Sequence, residues 1–208
     1  ANTGVTMTAN GGAVATLTGS STADTFNIGK TAAVTHVIEG GTGTDTVNLT
    51  LNTGTTVMTG LNDVEIYNIT VDSSAVAVVT TSGAGKFWND TVVETVNLTG
   101  GSSDSTYDSG TNALDSNSTL TLFDASGFKG RINDLLFAAD QLKSTVTVKG
   151  GSHAKDVVSA TFANDMLVRM SGVETLGTTF TGVAAVDVSN VTGMTAVTVT
   201  SSTNPRIG

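Results

Sequence analysis

The chain has 208 residues, 38% of them hydrophobic and 5% aromatic, with 13% charged and a net charge of −9. That charge excludes a nucleic-acid partner, whose phosphates require Lys and Arg, and it suits cations instead. The absence of Cys excludes a disulfide framework, a thiol nucleophile and a Cys-based zinc site, and no apolar run approaches the roughly 20 residues of a membrane-spanning helix.

Taken in chain order, the sequence is a succession of short strand-like runs separated by Gly, Ser, Asn and Asp. Residues 17–27 (LTGSSTADTFN) form a polar loop that leads into an apolar-alternating run. Gly29-Lys30-Thr31 ends like a phosphate-binding loop, but that loop needs Gly at the position of Asp24, an anion that would repel phosphate. Residues 40–48 (GGTGTDTVN) are a second Gly-rich loop. Alternation of apolar and polar residues predicts half-buried strands at 46–51, 64–71, 75–80, 92–99, 120–123, 145–149 and 196–200. Phe87-Trp88 is the one aromatic pair, read as a plug at a solenoid end or loop, with a carbohydrate platform as the alternative. The stretch holding Asp104, Asp108 and Asp115 reads as a solvated loop, with a second cation site as the alternative. Residues 134–143 (DLLFAADQLK) place Leu135, Leu136, Ala139 and Leu142 at helical spacing, which predicts a short helix with Asn133 as its cap.

Repetition is the strongest signal. TVNLT occurs at 46–50 and 95–99, each time after an acid, Asp45 or Glu94. VEIYNIT (64–70) matches VETVNLT (93–99), and GVETLGT (172–178) is a weaker copy. A second repeat pairs FDASGFKG (123–130) with VDVSNVTG (186–193). A unit of this size cannot bury its own apolar face, so stacked neighbours make the core. The predicted fold is therefore all-β, a parallel β-solenoid (β-helix) with short loops and at most one short helix, in one elongated domain over 1–208. A β-sandwich is the alternative. In the strands 64–70 and 93–99, the alternation places Tyr67, Ile69, Val96 and Leu98 inside.

The loop 40–48 fits the calcium-binding nonapeptide G-G-x-G-x-D-x-U-x at every fixed position, with Val47 as the apolar U. Calcium is a hard cation that takes 6–8 oxygen ligands. Glycines let the backbone aim its carbonyls at one point, the Asp supplies charge, and the apolar residue anchors the turn. One such loop supplies half a cage. The loop 17–27 keeps Gly19, Asp24 and the apolar Phe26, and Asp24 lies 21 residues before Asp45, a spacing that puts both acids on one side of consecutive turns. The candidate ligand set is Gly19 and Asp24 with Gly40, Thr42, Gly43 and Asp45. The alternative is a tight glycine turn in which Asp45 accepts backbone hydrogen bonds. A third relative, GGSHAKDVV (150–158), carries His153 in place of a glycine and an extra residue before Asp156, and reads as a calcium loop that has lost, or nearly lost, its ion.

Catalytic patterns are not apparent. His36 and His153, the only histidines, lack the spacing of a metal-binding pair, and no G-x-S-x-G elbow occurs. Asp63 and Glu65 are a conceivable glycosidase pair, without the aromatic platform that sugar-cleaving sites carry. The nonapeptide, the VETVNLT strands and the DASGF turns together resemble bacterial surface-layer (S-layer) proteins of the repeats-in-toxin kind. The resemblance covers most of the chain as repeat style and is specific in the nonapeptide, of which this chain has one intact copy. It implies type I secretion, an extracellular location at the bacterial cell surface, calcium-dependent folding, and self-assembly with lattice neighbours as partners. The expected function is structural, not enzymatic. The alternative is a calcium-stabilised segment of a secreted adhesin that binds a surface or a cell-surface polysaccharide. The abrupt start at Ala1 and stop at Gly208 suggest a piece of a longer protein.

Overall fold

The computed structural model describes residues 4–9, 16–31, 37–51, 61–72, 78–80, 92–109, 119–201 and 206–208. In chain order the strands are β1 (Thr6–Ala9), β2 (Thr16–Thr18), β3 (Thr25–Thr31), β4 (Val37–Glu39), β5 (Thr46–Leu51), β6 (Leu61–Asn62), β7 (Ile66–Val71) and β8 (Val78–Thr80). They continue as β9 (Thr95–Gly100), β10 (Thr106–Asp108), β11 (Leu122–Phe128), β12 (Arg131–Phe137), β13 (Thr147–Lys149) and β14 (Val157–Phe162). The last are β15 (Met166–Ser171), β16 (Thr175–Phe180), β17 (Ala185–Thr192), β18 (Ala196–Ser201) and β19 (Arg206–Ile207). All odd-numbered strands stack in one ten-stranded sheet. The even-numbered strands form a facing layer in two pieces, β2-β4-β6 and β8 to β18. Every pairing is parallel, and the chain alternates between the layers. This is the predicted β-solenoid.

Alternation of branched apolar and small polar residues builds each coil. In β5 every second side chain, Val47, Leu49 and Leu51, is buried, and Thr46, Asn48 and Thr50 face outward half-buried. Tyr67, Ile69, Val96 and Leu98 are all at most 1% exposed, as the alternation predicts. The buried side chains of both layers form one continuous core from Phe26 to Val186.

The repeats acquire a physical meaning in register. Asn27, Asn48, Asn68 and Asn97 are aligned across β3, β5, β7 and β9. Each later amide donates to the one before it: Asn48 Nδ2 to Asn27 Oδ1 at 2.7 Å, Asn68 to Asn48 at 2.8 Å, and Asn97 to Asn68 at 2.8 Å. Such side-chain ladders hold a sheet in a regular stack. Asp124 and Lys149 occupy the next two rungs and form an ion pair at 2.7 Å. Flanking the amides are a rank of Thr25, Thr46 and Thr95, interrupted by Ile66, and a rank of Thr50, Thr70 and Thr99. The valines of the V-E repeats, Val64, Val93 and Val173, are fully buried at corners. The first two precede odd-layer strands and the third precedes β16 in the other layer, so the repeat marks a corner rather than one sheet. In the D-x-S repeat, Asp124 Oδ1 accepts from Ser126 N at 3.0 Å and Asp187 Oδ1 from Ser189 N at 2.8 Å. Both motifs, expected as turns, instead lie within strands β11 and β17, at the irregularities where strand register shifts.

The predicted helix over 134–143 is not formed. Residues up to Phe137 belong to β12, whose Leu135 pairs in register with Val158, and a turn follows. Leu135 and Phe137 are buried by strand alternation and Leu142 by the turn, while Leu136 is only half-buried. The neighbouring coils offer open ladder groups on both sides: Leu136 N donates to Ser109 Oγ at 2.8 Å. Tertiary pairing overrides a local helical period that the same leucines also satisfy. Asn133 is therefore not a cap; it lies on β12 and donates from Nδ2 to Asp108 Oδ2 at 2.9 Å. Among the described residues there is no helix.

Candidate metal centre

The two Gly-rich loops stack on each other because the strands they feed are in register, Thr25 against Thr46. Gly19 N donates to Glu39 O at 2.8 Å, and Gly40 N to Asn62 O at 2.9 Å, so each loop is tied to the following coil. Contact is closest at the first glycine of each loop. A Cβ on Gly19 would sit 2.0 Å from Gly40 O, and one on Gly40 would sit 1.7 Å from Asp63 O. Gly43 has φ of +135°, a conformation that side chains disfavour. Thr42 N donates to Ser20 O at 3.4 Å across the two loops. All six predicted ligand residues are thereby gathered in one stacked pair of loops.

Acids stand at the exit of each loop. Asp24, 1% exposed, accepts from Val5 N through Oδ1 and from Ser20 N through Oδ2. Asp45, fully buried, accepts from Asp24 N through Oδ1 at 2.7 Å. Glu65 continues the column, accepting from Asp45 N through Oε2 at 2.6 Å. The Asp45 arrangement matches the glycine-turn alternative as far as Oδ1 goes. Asp45 Oδ2, however, is buried with no hydrogen-bond partner, and it points at the loop's own first glycine, 2.8 Å from where a Cβ on Gly40 would be.

The electrostatics separate the two aspartates. Backbone N–H groups of Ser20 and Val5 hold the Asp24 carboxyl below the usual range. Burial pushes the Asp45 carboxyl up, against the Asp24 N–H bond that lowers it, and repulsion from Asp24 and Asp63 adds to the rise. A buried anionic oxygen without a donor needs a proton or a cation. The residues present fit a hard divalent ion: the unpartnered Asp45 Oδ2 would be a ligand, Asp24 would add field, and carbonyls of the same glycine loops lie close by. Among the described residues no three carboxylate or imidazole side chains converge on one point, so main-chain oxygens would complete the shell.

The loop 150–156 repeats this design at another corner and differs in one respect. Gly150 N donates to Ser171 O at 2.8 Å, and a Cβ on Gly150 would sit 1.8 Å from Gly172 O. Asp156 N donates to Glu174 Oε2 at 2.8 Å, as Asp45 N does to Glu65. Both Asp156 oxygens are occupied, Oδ1 by Ile132 N and Oδ2 by Gly151 N, each at 2.8 Å. Burial still raises its carboxyl, and the nearby His153 acts in the opposite sense. The unpartnered oxygen of Asp45 thus has no counterpart here.

Comparison of the chain with protein-family models, with curated proteins and with solved structures returned no match.

The other sequence candidates fall apart in space or outside the described residues. Gly29-Lys30-Thr31 is part of strand β3, not a loop. Asp63 lies in a turn with φ of +55°, and Glu65 serves the Asp45 N–H. Asp104 is an exposed turn residue and Asp108 pairs in register with Asp134 on β12. Asp115, His36, Phe87 and Trp88 lie outside the described residues, as do residues 75–77 of one predicted strand. Glu65 and Glu174, which accept the N–H groups of Asp45 and Asp156, lie outside the candidate ligand set. Their signal was the repeated V-E pair directly before a strand.

Proposed function

We propose that this chain is a structural, non-enzymatic segment of an exported bacterial surface-layer protein of the repeats-in-toxin kind, folding and assembling outside the cell with calcium. The observation that carries the reading is the buried Asp45 Oδ2, unpartnered within a stack of two glycine loops. The weakly charged, Thr-, Ser- and Asn-rich composition and the net charge of −9 support an extracellular protein that lives with divalent cations. Calcium draws Asp24, Asp45 and the loop carbonyls together and couples binding to folding, because the unfolded chain has no preformed site. Neutralised coils then pack side by side.

The test is thermal unfolding in about 10 mM calcium and in chelator. Extracellular calcium modules bind with Kd of roughly 0.1–1 mM, so binding stabilises by about 1–3 kcal/mol, a rise in Tm of roughly 3–10 °C for a domain of this size. Equal Tm in calcium and chelator sinks the reading.

A further inference from the structure

The outward face of β5, β7 and β9, with Thr25 and Asn27 of β3 at its edge, carries the amide ladder. The ladder and the two threonine ranks beside it hold no charged group, although the chain as a whole is at −9. The next rungs of the same sheet are charged, with Asp124, Lys149 and Arg169. The ladder amides are also only partly used. Asn48 and Asn68 each spend one of two N–H donors and one of two oxygen lone pairs on their neighbours. Each keeps one donor and one acceptor for a partner off the ladder. A surface that repeats one donor and one acceptor per rung is complementary to itself. Two such surfaces share one spacing, the interstrand distance of about 4.8 Å.

We propose that this threonine–asparagine face is a contact between copies, mating with the same face of a second chain. The proposal rests on the lattice reading above and names the surface it uses. Two molecules at −9 repel wherever their charged surfaces meet, and uncharged patches are where they approach at least cost. The outward residues of β14, β16 and β18 are uncharged too but hold no amide ladder, so the ladder's repeated donors and acceptors are what select this face, and Thr198 controls for lack of charge alone. Four rungs of about six residues cover roughly 400 Å² per copy, about half the roughly 800 Å² per partner of a standard stable complex. The contact is therefore weak alone and effective when many copies are arrayed. The relation is two-fold, with the same patch on both sides.

The chain has no Cys, so one introduced thiol reports the contact. Thr70 is exposed on the face, and Thr198 is exposed on β18 in the other layer. In calcium, Thr70→Cys is expected to give bis-maleimide cross-linked dimers at least tenfold faster than Thr198→Cys at equal concentration. Adding either Thr99→Lys or Thr99→Glu to Thr70→Cys should reduce the rate to that of Thr198→Cys. The Lys variant decides between specific contact and general repulsion, because it lowers the net negative charge and would speed non-specific encounters. Equal rates for the two thiols, or a Thr99→Lys variant that cross-links as fast as its parent, overturns the proposal. Electron microscopy separates it from the lattice reading. Calcium-grown sheets that persist unchanged with Thr99→Lys overturn this face and keep the lattice. Face-dependent dimers without any sheets uphold the face and overturn the lattice.

Discussion

Asp45 holds two opposed roles in one carboxylate. Oδ1 is a structural acceptor for the coil before it, and Oδ2 is an anionic oxygen without a donor. Because its folded pKa is raised, the folded state holds the proton more tightly than the unfolded state. In chelator, Asp45 therefore contributes stability at low pH that is lost as pH rises from about 3.8 through the raised folded value. Asp24 has the opposite sign: its pKa is lowered, so its contribution is present above about 3.8 and is lost as pH falls. An Asp45→Asn variant keeps an acceptor at Oδ1 and removes the buried charge. In chelator at pH 7 it is expected to melt at or above the temperature of the unaltered chain, and in calcium it should lose the gain that the unaltered chain shows. Melting curves of both proteins in both buffers check this reversal. Gly40→Ala has no such compensation. Its methyl would lie 1.7 Å from Asp63 O, so the coils must part, and urea titration should show a loss of more than about 2 kcal/mol.

At the scale of the strand, burial and the amide ladder divide the labour. Leu98 is fully buried in the core, and Leu98→Ala should cost about 2–5 kcal/mol through lost transfer energy and a residual cavity. Asn68 is half-buried and joins two ladder bonds. Asn68→Ala should cost about 1–2 kcal/mol, with Asn68→Asp worse at pH 7 than at pH 3, since it removes a donor and sets a charge beside Asn48. Chemical denaturation of the three variants measures each. The strands are legible because an alternation of apolar and small polar residues is written into each coil, and the corner loops because paired glycines recur ahead of an acid and an apolar residue. The region 134–143 was misread for a physical reason. Leu135, Ala139 and Leu142 satisfy a helix period when taken alone, and the choice is made by Ser109 and Val158 on coils far away in sequence. The amide ladder went unnoticed for a related reason: Asn in TVN reads as a turn-former until four of them are seen to share one register.

At the scale of the whole molecule the described coils share one core. Among the described residues, β1 and β19 in one layer and β2 and β18 in the other are paired on one side only. Edges of this kind are usually guarded by Lys or Pro, and this chain has nine Lys and Arg and a single Pro. Contact with further coils or with other copies is the natural end state. In calcium at high protein concentration, sedimentation and microscopy should find sheets or large oligomers of the full-length protein that dissolve in chelator. A strictly monomeric full-length protein under those conditions would return the problem to a monomeric, rod-like adhesin.

The corner carboxylates also give the rod a direction. From Val5 to Glu65 the column runs one way: Val5, Asp24 and Asp45 each donate a backbone N–H to an acid on the coil that follows. Ile132 and Asp156 do the same farther on, whereas Ala163, Asn164 and Ala185 donate to Asp140 or Asp165 on the coil before. Peeling the chain from its C-terminal end removes acceptors and leaves bare N–H groups on the coil just exposed. Peeling from the N-terminal end removes donors and leaves carboxylates, which water solvates readily. Under tension the two ends are therefore not equivalent. Along the Val5–Glu65 column each coil lost from the C-terminal side loosens the next, whereas each coil lost from the N-terminal side uncovers an intact one. In an optical trap these coils should unravel at lower force, and in longer bursts, when drawn from the side that carries the acids away.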